Sequence, residues 1–176
     1  MSFVAANKQD FADLLDLNES CVPHVNSISL RHLDDFMAQA FCFSKLCDEQ
    51  GRLAGFVIAL QPGKAYQSVN YRWFERHYES FLYIDRIMVH PAFRRQGIAS
   101  RIYELLEIEA SSAGLPRLCC EVNILPPNPQ SQKLHFELGF RSVGTQSTEG
   151  GTKEVDLLVK PLAEITNPLL QGPLGG

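Results

Sequence analysis

Neither sign of charge dominates this chain. Lysine and arginine number 16 against 20 aspartate and glutamate over 176 residues, a formal net charge of −4. There is thus no global basic field of the kind that draws nucleic acid or anionic membrane, and neither is expected as a partner. Long apolar runs are missing as well: no stretch approaches the roughly 20 apolar residues of a membrane span. Residues 1–6 lack the basic segment and apolar core of a secretory leader, so the chain reads as cytoplasmic. The cysteines, Cys21, Cys42, Cys47, Cys119 and Cys120, are odd in number. The vicinal pair lies inside an apolar run, not at metal-ligand spacing, which reads as reduced, packed thiols with no metal. The chain also lacks the G-x-x-x-x-G-K-[ST] and G-x-G-x-x-G patterns, which disfavours nucleoside triphosphates and dinucleotides.

What is present fits one compact domain over residues 1–162, followed by a Pro- and Gly-rich tail over 163–176. Apolar residues at helical spacing predict helices over 10–17 and 29–40, joined by a loop around Pro23. A hairpin is expected over 41–60, with its turn at 48–51. The segment 61–79 holds Tyr66, Tyr71, Trp73, Phe74, His77 and Tyr78, and reads as a structured loop or short helix. A strand over 81–89, a helix over 98–113 and a strand over 118–122 imply a parallel, right-handed crossover. A short helix over 131–138, capped by Gly139, precedes two strands over 140–145 and 155–160.

Between strand 81–89 and helix 98–113 runs Val89-His90-Pro91-Ala92-Phe93-Arg94-Arg95-Gln96-Gly97-Ile98-Ala99. The first N–H groups of a helix have no intrahelical partner and sit at the positive end of its dipole, so a diphosphate can accept several of them. Gly97 and Ala99 would let phosphates approach, and Arg94 and Arg95 add charge. Taken alone, the segment reads equally as a basic turn with a glycine for packing.

Arg94-Arg95-Gln96-Gly97-Ile98-Ala99 matches the acyl-CoA signature [QR]-x-x-G-x-[GA]. Asn128-Pro129-Gln130-Ser131 leading into Leu134-His135-Phe136-Glu137-Leu138-Gly139-Phe140 resembles the second motif of the same family. On these residues the chain resembles the GNAT superfamily of N-acetyltransferases, over roughly residues 10–162. Leu17-Asn18-Glu19, residues 70–74, residues 83–87 and Glu121-Val122-Asn123 with residues 126–129 resemble a poorly characterised bacterial subgroup. The resemblance implies an α/β fold with a mixed, mostly antiparallel twisted sheet and a central parallel βαβ splay flanked by helices. It further implies acetyl-CoA, or another acyl-CoA, as co-substrate. Pantetheine would pair along Ile87, Met88 and Val89, the pyrophosphate would lie on Arg95 to Ser100, including Gln96 and Ile98, with Arg94 beside it, and Asn128, Ser131 and His135 would contact the cofactor.

Transfer to an amine requires a base, because an alkylammonium must lose a proton first. Tyr83 and Asp85 are the candidates, Tyr83 falling where several family members carry a glutamate. Period-two alternation puts Tyr83, Asp85, Ile87 and Val89 on one strand face. The alternative is a buried pair of Asp85 with Arg86 or Arg72, and Tyr83 as core. His135 stands where the family usually places a proton-donating tyrosine, and could donate as imidazolium if Glu121 or Glu137 raised its pKa, or could only hydrogen-bond the cofactor. For the acceptor, Glu19, Tyr71, Trp73 and Tyr78 fall in the segments that usually wall the cleft, an acidic and aromatic surface suited to a cationic amine. The same aromatics could equally anchor a loop over the core. The implied activity is direct acetyl or short-acyl transfer, in a ternary complex, to a primary amine of a small molecule, amino acid or peptide. The resemblance leaves open a homodimer. A non-catalytic acyl-CoA sensor, and a scaffold using the apolar residues 167–170, remain as alternatives.

Overall fold

The computed structural model describes residues 1–22 and 25–163. Among the described residues, seven strands are formed by Ser2–Ala5 (β1), Cys42–Cys47 (β2), Leu53–Leu60 (β3), Leu82–Val89 (β4), Arg117–Leu125 (β5), Arg141–Thr148 (β6) and Lys153–Pro161 (β7). The helices are Phe11–Glu19 (α1), Leu30–Gln39 (α2), Val69–His77 (α3), Ile98–Ser112 (α4) and Pro129–Glu137 (α5). One sheet runs in the order β1-β2-β3-β4-β5-β7-β6, and every pairing is antiparallel except that of β4 with β5. This is the mixed sheet with a central parallel pair that the sequence led us to expect. The expectations on Pro23 and on residues 164–176 lie outside the described residues. Strand β1 was not anticipated: it is four residues long, largely exposed, and pairs at the sheet edge with β2.

Helices α2 and α3 start where a serine satisfies their free donors. Ser29 accepts from the His32 N–H, while the His32 ring accepts from the Ser29 N–H at 3.0 Å, a reciprocal cap on α2. Ser68 caps α3 through the Tyr71 N–H at 3.3 Å. In α4 the stripe Ile98, Ile102, Leu106 and Ala110 is buried, as an i, i+4 spacing requires of a helix lying on a sheet. Helices α1, α2 and α3 cover one sheet face through Leu14, Leu33, Tyr71 and Phe74, packed on Phe56, Ile58 and Tyr83. Helix α4 covers the other, on Val57, Ala59, Leu82 and Cys120.

Strands β4 and β5 pair only at Leu82 with Leu118 and Tyr83 with Cys119. Beyond that point β4 stays with β3 as far as Val89, and β5 stays with β7 as far as Leu125, so a wedge opens between them. On the β3 side the ladder skips Asp85: Ile58 pairs with Arg86 and Ala59 with Ile84. This bulge corrects the expected alternation. Tyr83 and Met88 face the α1–α3 core, whereas Ile87 and Val89 face the α4 core, because one extra residue reverses every later side chain. Behind the wedge, β3 approaches β4 closely at Gly55, where a Cβ would stand 2.5 Å from the Met88 carbonyl oxygen. Gly55→Ala is therefore expected to lower stability by ~1–3 kcal/mol in urea denaturation, because the added methyl displaces β4.

Candidate active site

The wedge forms a through-going cleft of about 890 Å³. On the α4 face its walls include Val89, Ala99, Tyr103, Cys120, Ser131 and His135; toward α3 they include Tyr66, Ser68, Asn70, Asp85 and Glu121. One mouth opens toward Arg94 and the start of α4. The other lies between the chain around Val25 and Asn26 and the β6–β7 turn. There Lys153 Nζ donates to Asn26 Oδ1 at 2.7 Å and pairs with Glu149 at 2.9 Å, tying the two walls together.

At the first mouth the backbone makes a cradle. Arg95 has φ 58° and Gly97 has φ 76°, and Gly97 caps α4 with no side-chain hydrogen bond. The leading N–H groups of α4 are thus left to a ligand. Nothing lies within 4 Å of where a Gly97 Cβ would be, so the space over the turn belongs to no protein atom. Successive N–H groups around left-handed residues form an anion-binding concavity, and Arg94 and Arg95 stand exposed beside it. Arg94 Nε also donates to the Val89 carbonyl at 3.3 Å. These residues fit a diphosphate, and the open edge of β4 from Ile87 to Val89 fits an extended chain carrying amides.

In the middle of the cleft, Glu121 accepts at Oε1 from the Tyr83 hydroxyl, 2.9 Å away, while Oε2 is buried with no hydrogen-bond partner. Part of the residue's surface faces the cleft, but that oxygen is shut off from solvent. Burial, helped by the Asp85 charge, pushes the Glu121 carboxyl up to about 7, against hydrogen bonds from Asn70 and Tyr83 and the charge of Arg86. Burial also drives the Tyr83 phenol well above its ordinary value, so it stays a donor.

The acetyltransferase (GNAT) family model matches residues 11–140. The chain belongs to the GNAT acetyltransferase family. Its fold is similar to that of the ribosomal-protein-S18-alanine N-acetyltransferase from Escherichia coli, at TM-score 0.70 and 17% identity over 95% of this chain and 97% of that one. It is also similar to Chaetomium thermophilum Naa20 in complex with a bisubstrate analogue, at TM-score 0.73 and 18% identity over 92% and 87% of the two chains. A third likeness is to yncA from Salmonella typhimurium, solved with its cofactor acetyl-CoA, at TM-score 0.67 and 18% identity over 96% and 97%. No curated protein matches the chain in sequence. Acetyl-CoA is the co-substrate typical of the GNAT family, and an amine is the acceptor the family implies.

The structure of this GNAT protein gathers Ile87, Met88, Val89, Arg94, Ala99, Asn128, Ser131 and His135 along the cleft. Gly97 and Ser100 belong to the cradle at its mouth. Ile98 is buried and can offer only its N–H, and the Gln96 side chain turns back to the Ala92 carbonyl at 3.0 Å. Asn128 caps α5, accepting from the Ser131 N–H at 3.2 Å. Asp85 receives the Tyr66 hydroxyl and pairs with Arg86 at 2.7 Å, both side chains nearly inaccessible; Arg86 also reaches Asn18 Oδ1 at 2.7 Å. Removing the carboxylate leaves a buried guanidinium one partner short. Asp85→Ala is therefore expected to destabilise the fold by ~3–5 kcal/mol in urea denaturation.

The four expected acceptor residues are not brought to the cleft wall. Tyr71 is fully buried, donating to the Gln61 carbonyl at 2.8 Å and accepting from the Lys64 N–H at 2.9 Å, so it anchors the loop. Trp73 stacks on His77, with ring centroids 3.7 Å apart, and Tyr78 lies under the Arg117 guanidinium at 4.5 Å. Glu19, at the end of α1, accepts from Asn18 Nδ2 at 3.2 Å, and Ser27 and the Ile28 N–H help hold its carboxyl below the ordinary value. Glu137 pairs with Lys133, and burial lowers the His135 pKa, so the imidazole is neutral. Of the cleft residues, Glu121 had been considered only as an acid that raises the His135 pKa, which is instead lowered by burial, and Tyr103 not at all. The available signals were a carboxylate at an inward position of an apolar strand run and a hydroxyl in the apolar stripe of α4.

Proposed function

We propose that this GNAT protein transfers an acetyl group from acetyl-CoA directly to the primary amine of a peptide N-terminus or small molecule, within a ternary complex. The observation that carries this reading is Glu121, a carboxyl with its pKa near 7, lying where the wedge passes through the sheet. A base of that strength is half ionised at neutral pH and can take the proton of an acceptor ammonium, directly or through water. Tyr83 orients it through its hydroxyl, and the Asp85–Arg86 pair holds the bulge that keeps the wedge open. The cradle at Arg95 to Ser100 would hold the pyrophosphate, and Ile87 to Val89 the pantetheine. Acetyl-CoA then enters from the α4 face and the amine from the α1–α3 face, and positioning supplies much of the rate.

The E. coli protein of similar fold is named for alanine N-acetylation of a ribosomal protein, so peptide N-termini head the acceptor panel. The test is calorimetric binding of acetyl-CoA, followed by thiol release against peptides, amino acids and small amines. Binding with amine-dependent thiol release is expected. Binding with no release on any amine would overturn transfer.

A further inference from the structure

Displacement at a thioester leaves a thiolate, and the group that protonates it must stand where sulfur departs. Alternation along β5 separates the two sides: Cys119 faces the α1–α3 core, as Glu121 does through its contact with Tyr83, whereas Cys120 and Val122 face α4. With the base on one face, sulfur leaves on the other. Tyr103 waits there, in the second turn of the helix whose first turn forms the phosphate cradle. Its side chain is almost fully buried, yet it lines the cleft.

The hydrogen bonds around Tyr103 have a defined direction. His135 Nδ1 lies 2.7 Å from the Ser131 carbonyl, which can only accept, so Nδ1 carries the hydrogen. The neutral ring therefore presents a bare Nε2, and the Tyr103 hydroxyl, 2.6 Å away, must donate to it. Phe140 packs against both rings, at centroid distances of 5.3 and 5.2 Å. The ionisable neighbours of Tyr103 are thus His135 on α5 and Cys120 and Glu121 on β5. Burial keeps the phenol protonated.

We propose that Tyr103 is the general acid for the departing coenzyme A thiolate, with His135 the positioning residue that holds its hydroxyl; this rests on the acetyl-transfer reading above. As the amine nitrogen bonds to the carbonyl carbon, the C–S bond breaks and its electron pair goes to sulfur. The Tyr103 proton turns from neutral Nε2 to the charged sulfur, the stronger acceptor. The O–H bond breaks as S–H forms. The phenolate recovers the proton that the amine gave to Glu121, passed through water in the cleft, so the net movement is one proton from nitrogen to sulfur.

The test is Tyr103→Phe in the full chain, read first without any acceptor. Thiolate absorbance of bound coenzyme A against pH is expected to show ionisation about one to two pH units higher in the variant than in the wild type. In turnover, kcat is expected to fall about 10²-fold with KM for acetyl-CoA unchanged. That gap should narrow with an acetyl aryl thioester, whose thiolate leaves without a proton. His135→Gln should cost less, because the hydroxyl remains. If Tyr103→Phe does not fold, Tyr103→3-fluorotyrosine keeps the hydroxyl and, as a stronger acid, should lower the bound thiol's ionisation further. Equal thiol ionisation in variant and wild type, or an equal kcat loss with both donors, overturns the assignment. A wild type that shifts the bound thiol but acetylates no amine would instead sink the transfer reading and leave the Tyr103–sulfur contact standing.

Discussion

Glu121→Gln is expected to lower kcat by about 10²- to 10⁴-fold and to remove the acid limb of the pH–rate profile, which in the wild type should rise through about pH 7. The sign follows from the role: only the carboxylate accepts a proton, so activity grows as Glu121 ionises. Glutamine keeps an oxygen that can accept from Tyr83, so the variant loses the base and little of the shape. Initial rates between pH 5.5 and 9 on both proteins decide the matter; an unaltered acid limb in the variant would remove Glu121 from the mechanism.

The same substitution should stabilise the fold at alkaline pH. Glu121 has its pKa raised from 4.5 unfolded to about 7 folded, so its contribution to stability is fully present below the unfolded value and is lost as pH rises through about 7. Above that, the ionised carboxyl costs on the order of 3 kcal/mol, which a neutral amide avoids. The melting temperature of Glu121→Gln should therefore exceed that of the wild type at pH 8.5, and the gain should fade toward pH 5. A residue whose loss strengthens the fold and disables the reaction is held for the reaction.

What could be read ahead of the structure was what depends on neighbours in sequence. The α4 stripe and the turn before it are local features, as is the Gly139 stop after α5, whereas the Asn128 cap, which starts α5 at Pro129, two residues earlier than expected, was not read. The aromatics of 71–78 masked the helical period of α3, since Tyr71, Phe74 and Tyr78 pack inward while Trp73 and His77 stack on each other. Strand β1 carries too few buried positions to show an alternation. The bulge at Asp85 defeated the period-two rule, which presumes an unbroken ladder. Glu121 and Tyr103 gain their meaning only from the divergence of β4 and β5. Leu118 to Val122 reads as an ordinary buried strand until one edge of it is seen to part from β4 after Cys119.

The proposed diphosphate site at the start of α4 yields the second large effect. Gly97→Glu is expected to weaken acetyl-CoA binding at least about 10²-fold in calorimetry, whereas Gly97→Ala should cost only ~1–2 kcal/mol of stability from a φ of 76°. No protein atom lies within 4 Å of the built Cβ, so neither variant's Cβ clashes in the free protein. A glycine kept for packing alone would make the two variants nearly equivalent. A glycine kept so that phosphate can approach separates them, because the longer side chain reaches into the space over the turn. Its carboxylate also brings a negative charge to within a few ångströms of the diphosphate, worth ~1–4 kcal/mol per charge near a protein surface, and competes for Arg94 and Arg95. At 1.4 kcal/mol per tenfold, about 2–4 kcal/mol is a 30- to 1,000-fold loss before the displaced N–H contacts are counted. Equal affinity of both variants and the wild type would remove the diphosphate from the start of α4.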